Sequence, residues 1–436
     1  MPPDQPYSGS VAPPHVDVAV VGAGPAGSAA AITLAKAGKR VALIDKATFP
    51  RDKCCGDGLT TGALRLLEQL GASPHSLQSW QAVDAAWVRS PSGRVVELPL
   101  PRGRGVYAAV VRRTELDALL LGRARDAGAD VREGAALTGA LQHADAIELD
   151  VEGLGALRAS MAIGADGMWS PLRKLLGSGE PGYLGEWHAF RQYFAHVGPA
   201  ASTQLWVWFE TDLLPGYAWS FPLGGGRANV GFGIPRGGAI STQAMKQLWP
   251  DLLARPHIRS VLGPDAVAEA PHKAWPIPAR IGTLPLSTGR ALFVGDAAGA
   301  TDRLTGEGIG QALLTGVLAA ETILEKGGDD PAAVTAHYER AVHRELLADH
   351  RMSVALGKIL ANRSGARGAI RIAGSSGWTR RNFARWLFED EPRSIVLTPR
   401  RWHRHFLDRD GAFATADDRP AAFTATTQSG NAPSVP

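Results

Sequence analysis

Four short apolar runs stand out along the chain, at 17–21, 41–45, 159–165 and 291–295. Continuous apolar runs of this length read as strands of a parallel sheet, buried on both faces beneath helices. Segments near 83–110 and 187–234 behave differently. There apolar and polar residues alternate and turn residues interrupt them, as in a separate β layer. Helical patterning follows Pro25. It returns at Thr114-Glu115-Leu116-Asp117, which has the spacing of a capping box and opens a helix through about Asp126, ended by Ala127-Gly128-Ala129. A further helix follows Gly310 to about Glu325. The expected fold class is α/β with an inserted antiparallel β layer and a helical C-terminal region. Its nucleotide-binding part is discontinuous, at 16–80, 111–180 and 281–330, with the second layer at 81–110 and 181–280. A basic helical region is expected at 331–410 and a disordered tail at 411–436, whose Ala, Thr, Ser, Pro, Asn and Gly residues have little to bury.

The first apolar run leads into Gly22-Ala23-Gly24-Pro25-Ala26-Gly27 and then Ser28-Ala29-Ala30-Ala31. Gly22 permits a sharp exit from the strand, and Gly24 lets backbone approach a phosphate. Gly27 lets the helix beginning near Pro25 pack close to the sheet, with its N-terminal amides facing an anion. Asp45 ends the next strand, Arg40-Val41-Ala42-Leu43-Ile44, at the distance where an acid accepts hydrogen bonds from ribose hydroxyls. Strand, turn, helix and acid together predict a dinucleotide site at Gly22, Ala23, Gly24, Pro25, Ala26, Gly27 and Asp45.

The chain has 436 residues and is 45% hydrophobic, enough for two domains or one large domain with an inserted layer in a soluble globular protein. Met1–His15 has neither the apolar core of a signal peptide nor an arginine, and no stretch reaches the roughly 18 apolar residues of a spanning helix. The two cysteines, Cys54 and Cys55, are adjacent and cannot form an ordinary structural disulfide, so the expected location is the cytoplasm. Net charge is +4, concentrated late in the chain. From Arg351 to Asp410, thirteen Lys and Arg residues, Arg400, Arg404 and Arg409 among them, face five acids, with Trp378, Phe383, Trp386, Leu387, Trp402 and Phe406 interleaved. Such a stretch either lies against an anionic membrane surface or covers a lipid route, or it is a solvated helical cap whose arginines snorkel. Nothing resembles a nucleic-acid recognition module, and no metal-ligand spacing is present.

Two later segments extend the nucleotide reading. Ile163-Gly164-Ala165-Asp166-Gly167 and Ala291-Leu292-Phe293-Val294-Gly295-Asp296 each place an acid at the end of an apolar strand, and Gly306-Glu307-Gly308-Ile309-Gly310 opens a helix. An extended ligand held at these points has Asp296 on its ribityl or ribose hydroxyls. The amides of Gly306–Ile309 then lie beside the pyrimidine end of a flavin.

In this order the segments resemble the glutathione-reductase-type flavoproteins of the aromatic-hydroxylase branch, and within it the geranylgeranyl reductases, including menaquinone-tail and archaeal-lipid reductases. Phe49-Pro50-Arg51-Asp52-Lys53-Cys54-Cys55-Gly56-Asp57-Gly58-Leu59 is similar to that family's Lys-x-x-Cys-Gly segment, with Cys55 as its cysteine and Lys53 one residue nearer to it. Pro215-Gly216-Tyr217-Ala218-Trp219-Ser220-Phe221-Pro222, followed by Asn229-Val230-Gly231, resembles its P-x-x-Y-x-W-x-F-P signature, with Pro215 one residue nearer the tyrosine. The resemblance runs from about residue 16 to 330. It implies FAD contacts from Gly22, Gly24, Gly27, Asp45, Lys46, Arg113, Asp166, Asp296, Gly306, Gly308 and Ile309. It also implies a substrate wall of Tyr217, Trp219 and Phe221, and Cys55 near the isoalloxazine. Arg303 departs from the family's proline beside the flavin, and Cys54 takes a position often filled by another residue.

The implied reaction saturates carbon–carbon double bonds of an isoprenoid: a prenyl diphosphate, a quinone tail or a prenyl lipid. An isolated alkene needs hydride on one carbon and a proton on the other, with orientation supplied by a dry apolar slot. Trp187, Trp206, Trp208, Trp219 and Trp275 are candidates for its walls or for the core of the β layer. Cys55 is a candidate to donate or relay the proton or tune the flavin, or else a small packing residue. Lys53 is expected to be exposed, and no histidine falls in a triad context. With no second glycine-rich site, electrons are expected from transiently bound NAD(P)H or a reduced ferredoxin-like protein. The alternative on the same fold is an FAD-dependent monooxygenase, or less so a halogenase, acting on an aromatic or polyketide-like metabolite.

Overall fold

The computed structural model describes residues 14–238, 240–403 and 408–415. Expectations for Met1–Pro13, Arg404, Phe406 and 416–436 lie outside the described residues. The apolar runs pair in parallel. His15–Val21 is flanked by Val41–Asp45 and Gly155–Gly164, and Ala291–Phe293 lies beyond the latter. Val18–Val21 and Val41–Ile44 are buried throughout, as strands covered on both faces must be. Asp130–Glu133 adds a further parallel strand beside Val41–Asp45. A hairpin, Leu137–Gln142 and Ile147–Val151, pairs antiparallel with the start of Gly155–Gly164.

The second sheet runs in the order Val267–Ala268, Trp187–Ala195, Arg227–Pro235, Tyr217–Leu223, Leu205–Trp208, Ala85–Arg89, Val95–Pro99, with Lys273–Ile277 also on Trp187–Ala195. It is not wholly antiparallel. Leu205–Trp208 lies parallel to Ala85–Arg89, because the chain passes through the first sheet between these strands and no hairpin joins them. Ala109–Val110, expected in this layer, instead pairs with Gly58–Leu59 and Gln81–Ala82 in a small third sheet.

Helix Arg113–Asp126 corrects the capping-box reading. Its cap is Arg112, with no side-chain cap, and Thr114 lies inside the first turn. Asp117 is held by Arg113 and Arg51 instead, so a buried ion pair displaces the cap. The C-terminal region is helical over Pro331–Val342, Ala348–Leu360, Arg363–Ala373 and Gly377–Leu387. The expectation of disorder after Gly411 fails for its first residues. Ala412 is fully buried and exchanges backbone hydrogen bonds with Val106, and the Phe413 amide donates to Glu68, so this short stretch finds an apolar slot and a backbone edge.

Helix Ile309–Lys326 packs closely on Pro25–Lys36. A Cβ at Gly316 would stand 2.1 Å from the Ala26 carbonyl oxygen, so the two backbones touch. Gly316→Ala is expected to cost about 1–3 kcal/mol by forcing these helices apart, despite alanine's better helix propensity. Denaturant unfolding measures this, and flavin affinity should fall with it because Ala26 belongs to the glycine-rich turn.

Candidate active site

The glycine-rich turn is pressed against the turn that follows Gly164. Gly22 has φ +101, and a Cβ there would lie 2.3 Å from the Ala165 carbonyl oxygen; one at Gly27 would lie 1.8 Å from the Gly22 carbonyl oxygen. Asp45 closes the cradle, accepting the Ala23 amide at 2.7 Å and the Ala47 amide at 2.8 Å. Each oxygen keeps a second lone pair for a hydroxyl.

This cradle is one end of a cavity of about 840 Å³. Gly22, Gly24, Pro25, Ala26, Asp45 and Lys46 line it, as do Arg113, Asp166 and Asp296, the turn Gly306, Gly308 and Ile309, and Cys55 with Tyr217, Trp219 and Phe221. Ala23 and Gly27 do not: the first is turned to Asp45 and the second to the sheet. The alternation of the strands decides which tryptophans face in. Leu205, Val207 and Phe209 line the cavity, so Trp206 and Trp208 point the other way. Trp206 stacks between Trp87 and Trp208 at 5.5 and 5.9 Å, and Trp208 is core. Trp187, Trp219 and Trp275 do face the cavity, joined by Trp169 and Trp386. Gly56 and Gly58 approach the Phe221 ring, 3.4 Å from where a Cβ would stand. Gly231 leaves space for the Trp219 ring, which a Cβ would meet at 2.4 Å.

Behind Cys55 lies a buried polar bracket. Asn229 Nδ2 donates to the Cys55 carbonyl and to Asp57 Oδ2, both at 2.8 Å, while Asn229 Oδ1 accepts the Trp219 indole N–H at 3.0 Å. Tyr193 Oη donates to the same Asp57 oxygen at 2.7 Å. Asp57 Oδ1 has no partner, and burial pushes this carboxyl up to about 6, opposed by Arg191. Its backbone, at φ +65, turns its amide toward Cys55 Sγ at 3.4 Å. Burial also pushes both thiols up, Cys54 to about 12, with Arg191 pulling against the shift at Cys54 and Arg113 at Cys55. Cys55 is therefore a protonated thiol at neutral pH, not a thiolate.

Lys53 is not exposed as expected. Its ammonium sits 3.9 Å from the Trp275 ring centroid and 3.8 Å from Asp296, inside the lining, and burial lowers its pKa. Arg303 does not line the cavity; its charge acts on His350, on the far side of the turn. The arginine that reaches the turn is the buried Arg393, which donates to Thr305 Oγ1 and Glu389 at 3.0 Å. Tyr217 Oη donates to the Thr305 carbonyl, tying the aromatic strand to the same turn. Burial and the neighbouring Glu389 push the Glu307 carboxyl up.

Sequence reasoning also missed Arg51, which lies over Gly24 with Nη2 3.5 Å from the position of a Cβ. Its place in Phe49-Pro50-Arg51, with its guanidinium on the Phe49 ring, was the available signal. Asp57, within the cysteine segment, is a second residue whose part in the site the sequence does not reveal. Leu356, Ile370, Phe383 and Leu387 line the cavity from the C-terminal helices, and the interleaved aromatic residues were their only trace.

No side chain fits at Gly22 or Gly27, and Asp166, which lines the same cavity, has its Oδ1 buried and without a partner, features that fit an extended dinucleotide. The chain belongs to the FAD binding domain family, which matches residues 15–325, and to its geranylgeranyl reductase branch. Menaquinone reductase of Mycolicibacterium smegmatis is 35% identical over 365 residues, spanning 75% of this chain and 82% of that protein. Digeranylgeranylglycerophospholipid reductase 1 of Methanopyrus kandleri is 31% identical over 339 residues, 73% of this chain and 83% of that one. A geranylgeranyl bacteriochlorophyll reductase-like protein of Thermoplasma acidophilum shares the fold, with a TM-score of 0.73 at 22% identity, covering 89% of this chain and 100% of the other. The chain is thus an FAD-binding oxidoreductase with a mixed α/β fold.

The bracket around Asp57 gives a pH test. Its folded pKa lies above the ordinary 3.8, so ionisation costs stability, and that cost grows as pH rises from about 4 to about 6 and persists above. Asp57→Asn can keep both hydrogen bonds on one oxygen. It should remove this dependence, a difference of at most about 3 kcal/mol at pH 7. Chemical denaturation of both proteins from pH 4 to pH 8 measures it; parallel curves would show that Asp57 carries no such burden.

Proposed function

We propose that the protein is an FAD-dependent reductase that saturates carbon–carbon double bonds of an isoprenoid carried as a prenyl diphosphate, a quinone tail or a prenyl lipid. The observation that carries this reading is a single cavity. It joins the glycine-rich cradle to the aromatic wall Tyr217, Trp219 and Phe221 and continues among apolar side chains of the C-terminal helices. The relatives named as menaquinone and digeranylgeranylglycerophospholipid reductases support the same class of acceptor.

FAD, when bound and reduced, supplies hydride to one alkene carbon. Gly22, Gly24, Pro25, Ala26, Asp45, Lys46, Arg113, Asp166, Asp296 and the turn Gly306–Ile309 are proposed to hold it in a dinucleotide layer of glutathione-reductase type, with Ala23 and Gly27 shaping the turn from behind. Arg51 and Lys53 add positive charge near the pyrophosphate and the ribityl chain. The aromatic wall excludes water and orients an alkene that offers no polar handle. Cys55 holds a proton on Sγ for the second carbon, and Asn229 fixes both the Cys55 turn and the Trp219 ring. In this division of labour 16–80, 111–180 and 281–330 bind the cofactor, 81–110 and 181–280 wall the substrate, and 331–410 cover it. NAD(P)H or a reduced ferredoxin-like protein is the proposed electron source. The proposed location is the cytoplasm, at the periphery of a membrane.

The test is anaerobic reoxidation of dithionite-reduced protein by menaquinone or geranylgeranyl diphosphate, with mass spectrometry of the product. A gain of two hydrogens per turnover is the expected result. Absence of reoxidation until O2 is admitted, with a hydroxylated aromatic product, would assign it to the monooxygenases instead. Cys55→Ser should leave flavin binding unchanged and slow the alkene step by roughly 100-fold, the scale of losing a positioned acid. Single-turnover absorbance separates these two effects.

A further inference from the structure

We propose that the outer face of the C-terminal helices docks on an anionic phospholipid bilayer and that the isoprenoid enters beside Ile359. This rests on the reading that the cavity takes an isoprenoid. Ile359 both lines the cavity and is 52% exposed, so the cavity reaches the surface there. Helix Arg363–Ala373 has two unlike faces. Ala369 and Ile370 line the cavity, while Arg363, Arg367 and Arg371, spaced one turn apart, are exposed. Helix Gly377–Leu387 repeats the arrangement, with Phe383, Trp386 and Leu387 inward and Trp378, Arg380 and Arg381 outward.

Charge and apolar exposure coincide on this face. No Asp or Glu occurs between Arg351 and Phe388. Among the described residues, Lys358, Arg363, Arg367, Arg371, Arg380 and Arg381 form no ion pair, whereas arginines elsewhere commonly do. Ile372 and Trp378 stand among these cations, 69% and 63% exposed. Unneutralised cations around protruding large apolar side chains match the headgroup and acyl boundary of an anionic leaflet. A solvated cap would need the arginines but not the exposed tryptophan and isoleucines. The entry point beside the cations lets a long tail pass from acyl chains into the cavity while an anionic or polar head stays at the surface.

The experiment is flotation of the FAD-loaded protein with phosphatidylcholine vesicles with and without 30% phosphatidylglycerol, paired with anaerobic reoxidation. The acceptors are menaquinone in the same vesicles and geranyl diphosphate in solution. Expected are binding to anionic vesicles, release by high salt, and about 100-fold weaker partitioning for Arg363→Glu/Arg367→Glu/Arg371→Glu, from about tenfold or less per cation. The triple variant should still be reoxidised by geranyl diphosphate but slowly by vesicle-borne menaquinone. Trp378→Ala should weaken binding several-fold without altering reoxidation by the soluble acceptor. Equal affinity for neutral and anionic vesicles, or retention by duplex DNA with no vesicle binding, would overturn the docking proposal while reoxidation by geranyl diphosphate left the reductase reading standing. Vesicle binding without reoxidation by any isoprenoid would uphold the surface and overturn the reading.

Discussion

The amide of Asn229 joins the two halves of the active site. It lies buried between the turn Cys55–Asp57 and the strand Tyr217–Leu223, and it satisfies the Cys55 carbonyl, an Asp57 oxygen and the Trp219 indole. Each of those groups is expensive to leave unpaired away from water, at about 1–3 kcal/mol apiece. The cysteine turn and the aromatic wall therefore have one mutual position at which all are paired. The remaining geometry follows from that joint: Gly56 and Gly58 can approach Phe221, and Trp219 can lie on Gly231, only at that separation.

Burial sets the protonation of the polar groups near this joint. Burial holds both thiols protonated and raises Asp57, while Arg191, beneath Tyr193 and paired with Asp52, limits how far Asp57 rises. Lys53 over Trp275 and Arg51 over Gly24 put positive charge into the lining of the same cavity. The cavity thus carries charged side chains around the glycine-rich turn and apolar ones where the C-terminal helices line it.

The C-terminal region also secures the nucleotide layer. Arg393 reaches Thr305 beside the Gly306–Ile309 turn, and Arg65 on helix Thr61–Leu70 holds Asp390 at 2.6 Å. Part of the basic charge there is consequently structural, neutralised by Asp302, Glu389 and Asp390. The exposed arginines of Arg363–Ala373 and Gly377–Leu387, with Lys358, belong to a second set, and the distinction between the two depends on burial rather than on composition.

Much of the site was legible in the residues because backbone geometry demands particular side chains. A positive φ at Gly22, a touching backbone at Gly27 and an acid at the end of the second strand leave little choice of amino acid, and short apolar runs suffice to mark the parallel sheet. The resemblance of the segment from Tyr217 to Phe221 implied an aromatic wall, and the period of the strand puts these three residues on one face. The sequence by itself thereby determined the dinucleotide cradle, the aromatic wall and the family. It could not determine which face of Leu205–Trp208 turned inward, that this strand runs parallel to Ala85–Arg89, that Asp117 serves an ion pair and not a cap, or that Arg393 and not Arg303 reaches the turn at Thr305–Ile309. Those outcomes depend on partners tens to hundreds of residues away, whose approach is set by packing and by the need to pair every buried polar group. Only the tertiary structure decides them.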